Sequence, residues 1–549
     1  RRHEVLRTGF PEVDGRPVQV VHPAAPVELP QIDLEGLPEE EREAEAERLV
    51  AEAVGVAFDV ARAPLVRWRL VRLREDLHVL IQVEHHFVHD GWSYALLLRE
   101  LKELYAAFAD GRPSPLPEPP VQYADFAVWQ RAWLQGETLE RLLAFWRRKM
   151  ERYPAPVEIA TDRPRPARAA FRGTVETFRI PPELYETLRR FSRREGRTLY
   201  MTMLAGFLAV LERYTGATDL LLGTSNANRR IREIQGMIGM VVNSLLLRAD
   251  LGGRPAFRAL LGRVRELTLE LYTWQDMPFE RLVQELKPER RPGYNPLFQI
   301  MYNFHDAAVP DLEFAGLRVV RRVRSNRTAK VDLNVIVVPR AEQRVGLEAS
   351  EEDRLAELHW EYNTDLFDLA TMQRMAAHYL TLLAGAAADP SLPVAELPLL
   401  TLEERQQLAA WGEHREVPGD ATLPELFAAR AERAPDAAAV TQGEMCLTYG
   451  ELARRAGRLA QWLRGLGVGP GVPVALCAHR SPELLVGIVG IVAAGGAYVP
   501  LDPAYPAERL VWILEDALRG VEQPLLVAEG AAAAVLPAHR ARLVPLDGL

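Results

Sequence analysis

The chain has 549 residues, too many for one ordinary core, and its 48% hydrophobic and 26% charged residues suit a globular protein of roughly two to four domains. A formal charge of -9 gives no basic field for nucleic acid or anionic lipid, and the longest apolar candidate, LLVGIVGIVAAGGAYV, is cut by glycines before it reaches bilayer length. Two cysteines, Cys446 and Cys477, exclude a disulfide framework and a thiolate metal cluster and fit a reducing cytoplasm.

In chain order, residues 1 to about 150 mix β-branched runs (VRWRLVRL, HVLIQVEH) with helical spacing and a proline-rich stretch at 112–120. TDRPRPARAAFRG, 161–173, reads as a crossing between two lobes, because prolines punctuate elements. Residues 174–395 again alternate strands (LLLGTSNA, VVNSLLLRADL, VDLNVIVVP) with helices (TLYMTMLAGFLAVLERYTG, LATMQRMAAHYLTLLAGAAAD). Two successive α/β blocks predict a two-lobed domain. The stretch 388–420 reads as a linker with one short helix, and from Thr422 Ala- and Gly-rich helices alternate with strands as a second α/β unit. The expected boundaries are 1–165 and 166–395 for the two lobes, 396–421 for the linker and 422–549 for the last unit. The sequence opens without Met or a signal pattern and closes within what reads as a domain, so a segment of a longer protein is expected.

The stretch richest in chemistry is VEHHFVHDGWS, Val83 to Ser93. Before it, HVLIQVEHH alternates as a strand, with Val79, Ile81, Val83 and His85 on one face and Leu80, Gln82, Glu84 and His86 on the other. After Gly91 the spacing turns helical, with Tyr94, Leu97, Leu98, Leu101, Leu104, Tyr105 and Phe108 as one apolar stripe. Ser93 reads as the N-cap, without a capping box because Leu96 stands three positions on.

His85 and His89 are four apart, as in H-E-x-x-H, but the helix begins only after them and His86 replaces the base, so no metal site is expected. Those two histidines read as support for the turn. His86, at a strand end where a loop-borne imidazole faces a cleft, suits proton transfer near neutral pH. Asp90 either orients that imidazole or anchors the turn through an ion pair, and Gly91 permits a strained backbone or a close approach to substrate.

HHFVHDG reads as H-H-x-x-x-D-G and resembles the signature of nonribosomal peptide synthetase condensation domains. RHEVLRTGF (2–10), YADFAVWQR (123–131), IGMVVNSLLLR (238–248), WQDMPFERLV (274–283) and NPLFQIMYNF (295–304) are similar to further core motifs of that family, in its order; the first core motif is not in the sequence. LTYGEL (447–452) and AAGGAYVPLDPAYPAERL (493–510) resemble the first two core motifs of adenylation domains, whose phosphate loop, ribose-binding Asp and catalytic Lys are not in the sequence, so no adenylation is expected of this part.

The resemblance implies two chloramphenicol-acetyltransferase-like α/β lobes in a V, then a partial α/β adenylation subdomain. It implies amide formation between a donor thioester and an acceptor α-amine, each on the 4'-phosphopantetheine arm of an upstream or downstream peptidyl carrier domain of the same synthetase. ATP and magnesium belong only to a complete adenylation domain, and neither nucleic acid nor membrane is an expected partner. His86, Asp90 and Gly91 form the implied catalytic set, with Asp90 structural, supported by His85, Trp92, Ser93 and Arg229. Arg229 is the candidate ion-pair partner of Asp90, bridging the lobes. A directly following adenylation segment disfavours an epimerization domain, and the site lacks the D-x-x-x-x-D of heterocyclization domains. A starter or hybrid subtype with a fatty or polyketide donor, hinted at by Phe87, and a non-catalytic recruitment platform are the alternatives.

Overall fold

The computed structural model describes residues 1–289, 291–305, 313–322, 324–340, 356–412, 419 and 421–548. It divides into two compact units, Arg1–Leu408 and Ala409–Leu549. Of the expected linker, residues 413–418 and 420 lie outside the described residues.

In the first lobe of the first unit, β1 (Gln31–Asp33) runs parallel to β2 (Val66–Arg74), which forms an antiparallel hairpin with β3 (Leu77–Glu84). Helix α1 (Glu39–Gly55) covers one face, setting Ala46, Leu49 and Ala53 against Val71, Leu73 and Ile81. The period-two alternation of β3 turns Gln82, Glu84 and His86 toward the other face. The chain then turns into α2 (Gly91–Ala109) and continues through α3 (Tyr123–Trp133) and α4 (Gly136–Lys149).

The apolar stripe expected along α2 is only part of its packed surface. Within it Leu98 is buried, Tyr94, Leu97, Leu101 and Leu104 are half-buried and Tyr105 and Phe108 are exposed, while Ser93, Leu96, Glu100 and Ala107 are buried outside it. Glu100 tolerates burial because His3 Nε2 lies 2.7 Å and Arg2 Nε 3.0 Å from its carboxylate, and a paired, hydrogen-bonded charge can be desolvated where a lone one cannot. Arg2 and His3 belong to the RHEVLRTGF stretch, which thereby anchors the helix that follows the histidine turn.

The second lobe is a six-stranded sheet of β4 (Gly173–Ile180), β5 (Asp219–Asn226), β6 (Asn243–Asp250), β7 (Ile300–Phe304), β8 (Leu333–Pro339) and β9 (Ala356–Asn363) in the order β6-β5-β7-β8-β9-β4. The pairs β5–β7 and β7–β8 are parallel and the others antiparallel. Helices α5 (Pro182–Arg194), α6 (Leu199–Thr215), α7 (Phe257–Thr273), α8 (Phe279–Leu286) and α9 (Leu369–Ala388) complete it. Nearly all of Leu199 to Leu211 is buried, which explains why α6 carries no polar stripe: a helix enclosed all round has no solvent face to serve. In β8, Leu333, Val335 and Val337 enter the core while Asn334, Ile336 and Val338 face the open side.

Helix α4 packs into this second core through Leu142, Leu143, Phe145 and Trp146, with Phe145 stacked on Trp274 at 4.4 Å. The second core therefore begins before residue 165, where the sequence boundary was drawn, because the aromatic partner that claims α4 lies far along the chain. The stretch between α4 and β4 is irregular, with Asp162 N–H and Arg163 N–H both donating to the Leu366 carbonyl.

In the second unit a helix over Leu423–Arg433 precedes a hairpin, β10 (Ala438–Gln442) and β11 (Met445–Thr448), and α10 (Tyr449–Gly465). Thr448 and Glu451 form a capping box at the start of α10. Four parallel strands follow in the order β13-β12-β14-β15, namely β12 (Pro473–Cys477), β13 (Ala497–Leu501), β14 (Leu525–Ala528) and β15 (Arg542–Pro545). Alternate residues of β12 serve opposite faces: Val474 and Leu476 join α10 and α11 (Pro482–Ala494), whereas Ala475 and Cys477 join α12 (Ala507–Ala517). Both faces are covered, as a parallel sheet requires. The mixed α/β class expected from sequence is present in both units.

Candidate active site

The turn His85–Asp90 borders a cavity of about 3900 Å³ between the two lobes of the first unit. First-lobe Glu84, His86 and Tyr94 and second-lobe Asn226, Ser244 and Phe298 are among its walls.

The strand end fixes the three histidines unequally. His85 N–H donates to the Leu65 carbonyl (2.9 Å) and His85 Nδ1 accepts from Phe87 N–H (3.1 Å), so its ring is used inside the turn. The ring also meets the edges of Phe87 and Phe58. Burial, then the nearby His86 and Lys330, hold the His85 pKa below the usual imidazole range. His89 is largely enclosed, and burial and the adjacent His86 ring pull it down to about 4. His86, by contrast, is exposed to the cavity, with the His89 ring stacked on it at 5.1 Å and 29°. His85 and His89 are therefore neutral at pH 7, and His86 is the exposed member of the three, with His89 behind it in the cavity wall.

Asp90 is the N-cap of α2, a place the sequence pattern gave to Ser93. Its Oδ1 accepts from Ser93 N–H at 2.8 Å, so Ser93 stands at the third helical position, three residues after the cap. Arg229 Nη2 donates to both Asp90 carboxylate oxygens at 3.1 Å across the lobe boundary, and Val241 N–H donates to Oδ2 at 3.0 Å. Arg229 also donates to the carbonyls of Ile234 (2.7 Å), Met237 (2.6 Å) and Gly239 (3.0 Å) and to Ser93 Oγ (2.9 Å). Burial draws the Arg229 pKa down while Asp90 opposes it, and at 1% and 2% side-chain exposure this is a buried ion pair rather than a solvated arginine.

The 239–241 loop approaches closely enough to make these contacts because Gly239, at φ 156°, has no Cβ; one added there would lie 2.4 Å from the Tyr123 ring. Tyr123 Oη in turn donates to the Met240 carbonyl at 3.1 Å. Motifs far apart in sequence thus close on one buried carboxylate. Trp92 adds a second tie, its indole N–H donating to the Gln235 carbonyl at 3.0 Å while the ring borders the cavity.

Gly91 differs from expectation. It is the first residue of α2 with no positive φ, and a Cβ there would meet nothing within 4 Å, so the backbone is not strained. It lines the cavity, and what its missing side chain preserves is open space.

Glu84 is the polar residue of the site to which the sequence pattern gave no role. Its Oε1 accepts from Gln82 Nε2 at 2.9 Å, its Oε2 lies 3.5 Å from His89 Nδ1, and burial pushes its carboxyl up to about 7. The strand alternation that put Glu84 on the face of His86 was the available signal. Among the described residues, no group of three or more His, Cys, Asp or Glu is placed to hold a metal ion, and no helix is long and apolar enough to cross a membrane.

Comparisons with known proteins follow the same division of the chain. The family model of the condensation domain matches residues 1–409, and that of the AMP-binding enzyme matches residues 427–521. One of the linear gramicidin synthase proteins of Brevibacillus parabrevis is 44% identical over 521 residues, covering 94% of this chain and 10% of that protein. Chondramide synthase cmdD of Chondromyces crocatus is 41% identical, covering 100% and 14%. The chain thus spans only a small part of these two relatives. The solved structure of a four-domain nonribosomal peptide synthetase, holo-AB3403 bound to AMP and glycine, shares the fold at a TM-score of 0.80 and 23% identity, over 100% of this chain and 41% of that one. The first condensation domain of the calcium-dependent antibiotic synthetase, in complex with a substrate analogue, aligns at a TM-score of 0.59 and 26% identity, over 73% and 88%. The X-domain from teicoplanin biosynthesis aligns at 0.65 and 26%, over 73% and 87%. With the family model covering Arg1 to Ala409, the chain belongs to the condensation domain family of nonribosomal peptide synthetases, continued by the start of an AMP-binding enzyme.

Proposed function

We propose that the first unit joins a donor acyl or peptidyl thioester to the α-amine of an acceptor aminoacyl thioester, both delivered on the 4'-phosphopantetheine arms of partner carrier domains. The observation that carries this reading is the His86 ring, exposed to the cavity on a turn whose other end is locked across the lobes through Asp90 and Arg229. The acceptor nitrogen attacks the thioester carbonyl carbon, His86 takes the proton that the nitrogen loses, the C–S bond breaks, and the departing sulfur leaves as a thiol once that proton is returned to it. A free α-amine has a pKa of roughly 7.7–8.0, so a useful fraction is neutral near pH 7 and the base is asked for little. Holding the two groups in line supplies up to roughly 7–11 kcal/mol, and general base catalysis by His86 adds roughly 10²–10⁴-fold. Helix α2 starts at Gly91 on the cavity wall, and its first backbone N–H groups polarise the thioester oxygen. ATP and magnesium enter through a complete AMP-binding enzyme, and no residue of this chain is assigned to them.

A recruitment platform is the second reading, favoured by the likeness to the X-domain, which has also been solved in complex with OxyB. One experiment separates the two: load donor and acceptor carriers, add the protein, and follow amide formation by intact mass. His86→Ala should lower the rate roughly 10²–10⁴-fold with an unchanged melting curve. Wild-type condensation in that variant sinks the catalytic assignment.

A further inference from the structure

Glu84 and His89 are not used by the reaction as described, yet they lie directly beside its base. We propose that they form a dyad sharing one proton that positions the ring of His86 for attack by the amine. This deepens the amide-forming reading of the same turn and rests on it.

The geometry is that of a pair built for each other. Glu84 ends β3 and His89 closes the turn, with Oε2 and Nδ1 3.5 Å apart; neither atom has a hydrogen-bond partner among the described residues. The His89 ring lies against that of His86, so any rotation of His89 reaches the base by contact. Glu84 Oε1 is held separately by the Gln82 amide, which fixes the carboxyl plane and leaves Oε2 aimed at the imidazole.

A spacing of 3.5 Å between a histidine and a carboxylate suggests a salt bridge, but the surroundings oppose one. Burial raises Glu84 to about 7, and burial with the adjacent His86 lowers His89 to about 4. Between those values both groups are neutral, and a single proton, on Glu84, faces the Nδ1 lone pair. The other groups facing the pair are few. Asp90 and the His85 carbonyl favour a charged His89 and the His85 ring opposes it, Tyr94 of α2 faces Glu84, and Arg321 lies over the Tyr94 ring from the far side. Lys330 acts on His85 rather than on the pair.

Loss of the shared proton sets a carboxylate against a lone pair. The His89 ring must then exchange tautomer or turn, and the stacked His86 ring moves with it. The dyad is thus a positioning device whose state changes near neutral pH, with no covalent change in either residue.

The test reads His86 itself. In the protein carrying ¹³C-labelled histidine rings, the His86 resonances should report the loss of the Glu84 proton as a step near pH 7, and Glu84→Gln and His89→Gln should each remove it. With aminoacyl thioesters on holo carrier proteins as probes, the rate against pH from about 6 to 9 should carry an inflection near 7 in the wild type that Glu84→Gln flattens. Identical pH dependence of the His86 resonances in all three proteins overturns the proposal, as does an unaltered rate profile in an active, folded variant. If the wild type makes no amide, the amide-forming reading fails while the resonance step still reports on the dyad, so the two failures are distinct. His89→Gln carries the test should Glu84→Gln not fold.

Discussion

The two ends of one turn are built to opposite rules. At the Asp90 end, both carboxylate oxygens, the Ser93 hydroxyl and both Arg229 Nη atoms are engaged, Arg229 Nε being left without a partner among the described residues, and the whole is sealed from solvent between the lobes. At the His86 end, four residues earlier, the ring stands in the cavity, and the pair behind it leaves a carboxyl oxygen and an imidazole nitrogen facing each other with no further partner among the described residues. A densely bonded network is stiff because any displacement breaks several bonds together, whereas a sparsely bonded buried pair changes its protonation state at a pH set by its own desolvation. The saturated end fixes where the turn sits, and the unsaturated end is free to exchange protons.

Breaking the saturated end should have the largest effect. Arg229→Ala leaves the Asp90 carboxylate buried without its cation, and removal of one partner of a buried pair costs roughly 3–5 kcal/mol. Denaturant unfolding of the first unit should show that loss, with earlier proteolytic cutting between the lobes. A change below about 1 kcal/mol would mean that Val241 N–H and Ser93 suffice to hold the carboxylate, and the contrast drawn between the two ends would fail.

How far this arrangement was legible in sequence depended on the range of each interaction. The alternation of β3 put Glu84 and His86 on one face because side-chain period is a local property of a strand. The cap went to the wrong residue for a reason equally local: the pattern offered Asp90 the imidazole or an ion pair but not the cap, whereas its two oxygens cap α2 and receive Arg229 at once. The stripe on α2 accounts for only part of the burial because the helix is also covered on a second side, where Glu100 is made buriable by Arg2 and His3 from the start of the chain. The placement of α4 depended on Phe145 meeting Trp274, a pairing that no periodicity encodes. Arg229 was reached through family resemblance, since nothing in SNANRR by itself distinguishes it from Arg230, which is exposed and only 3.4 Å from Asp276.

The unsaturated end should reveal itself in the pH dependence of stability. Glu84 sits above its unfolded value, so the fold favours its neutral form and loses stability as pH rises from about 4.5 through 7. His89 sits below its unfolded value, so it detracts as pH falls from 6.5 toward 4. The two slopes oppose each other between 4.5 and 6.5 and largely cancel in the wild type. Glu84→Gln removes one of them, so the variant should gain on the wild type across pH 4.5 to 7 by roughly 3 kcal/mol at most and hold a constant lead above. Thermal midpoints at several pH values check this, and a difference independent of pH would place Glu84 in solvent-like surroundings.

Gly91 follows the Asp90 end as the first residue of α2, and the smallest change to stability is expected there. Its φ is ordinary and a methyl group would meet nothing within 4 Å, so Gly91→Ala should leave the fold unchanged or firmer by a few tenths to about 1 kcal/mol, because alanine loses less conformational freedom in a helix. The methyl would nevertheless project into the cavity where the donor carbonyl must approach the first N–H groups of α2. Condensation should fall on the order of 10-fold, since small displacements of reacting groups erode the benefit of orientation. A stable and fully active Gly91→Ala protein would move the reacting carbonyl away from the helix start and leave His86 as the only contact between the turn and the chemistry; a stable and slow one would fix the carbonyl between the imidazole and the first turn of α2.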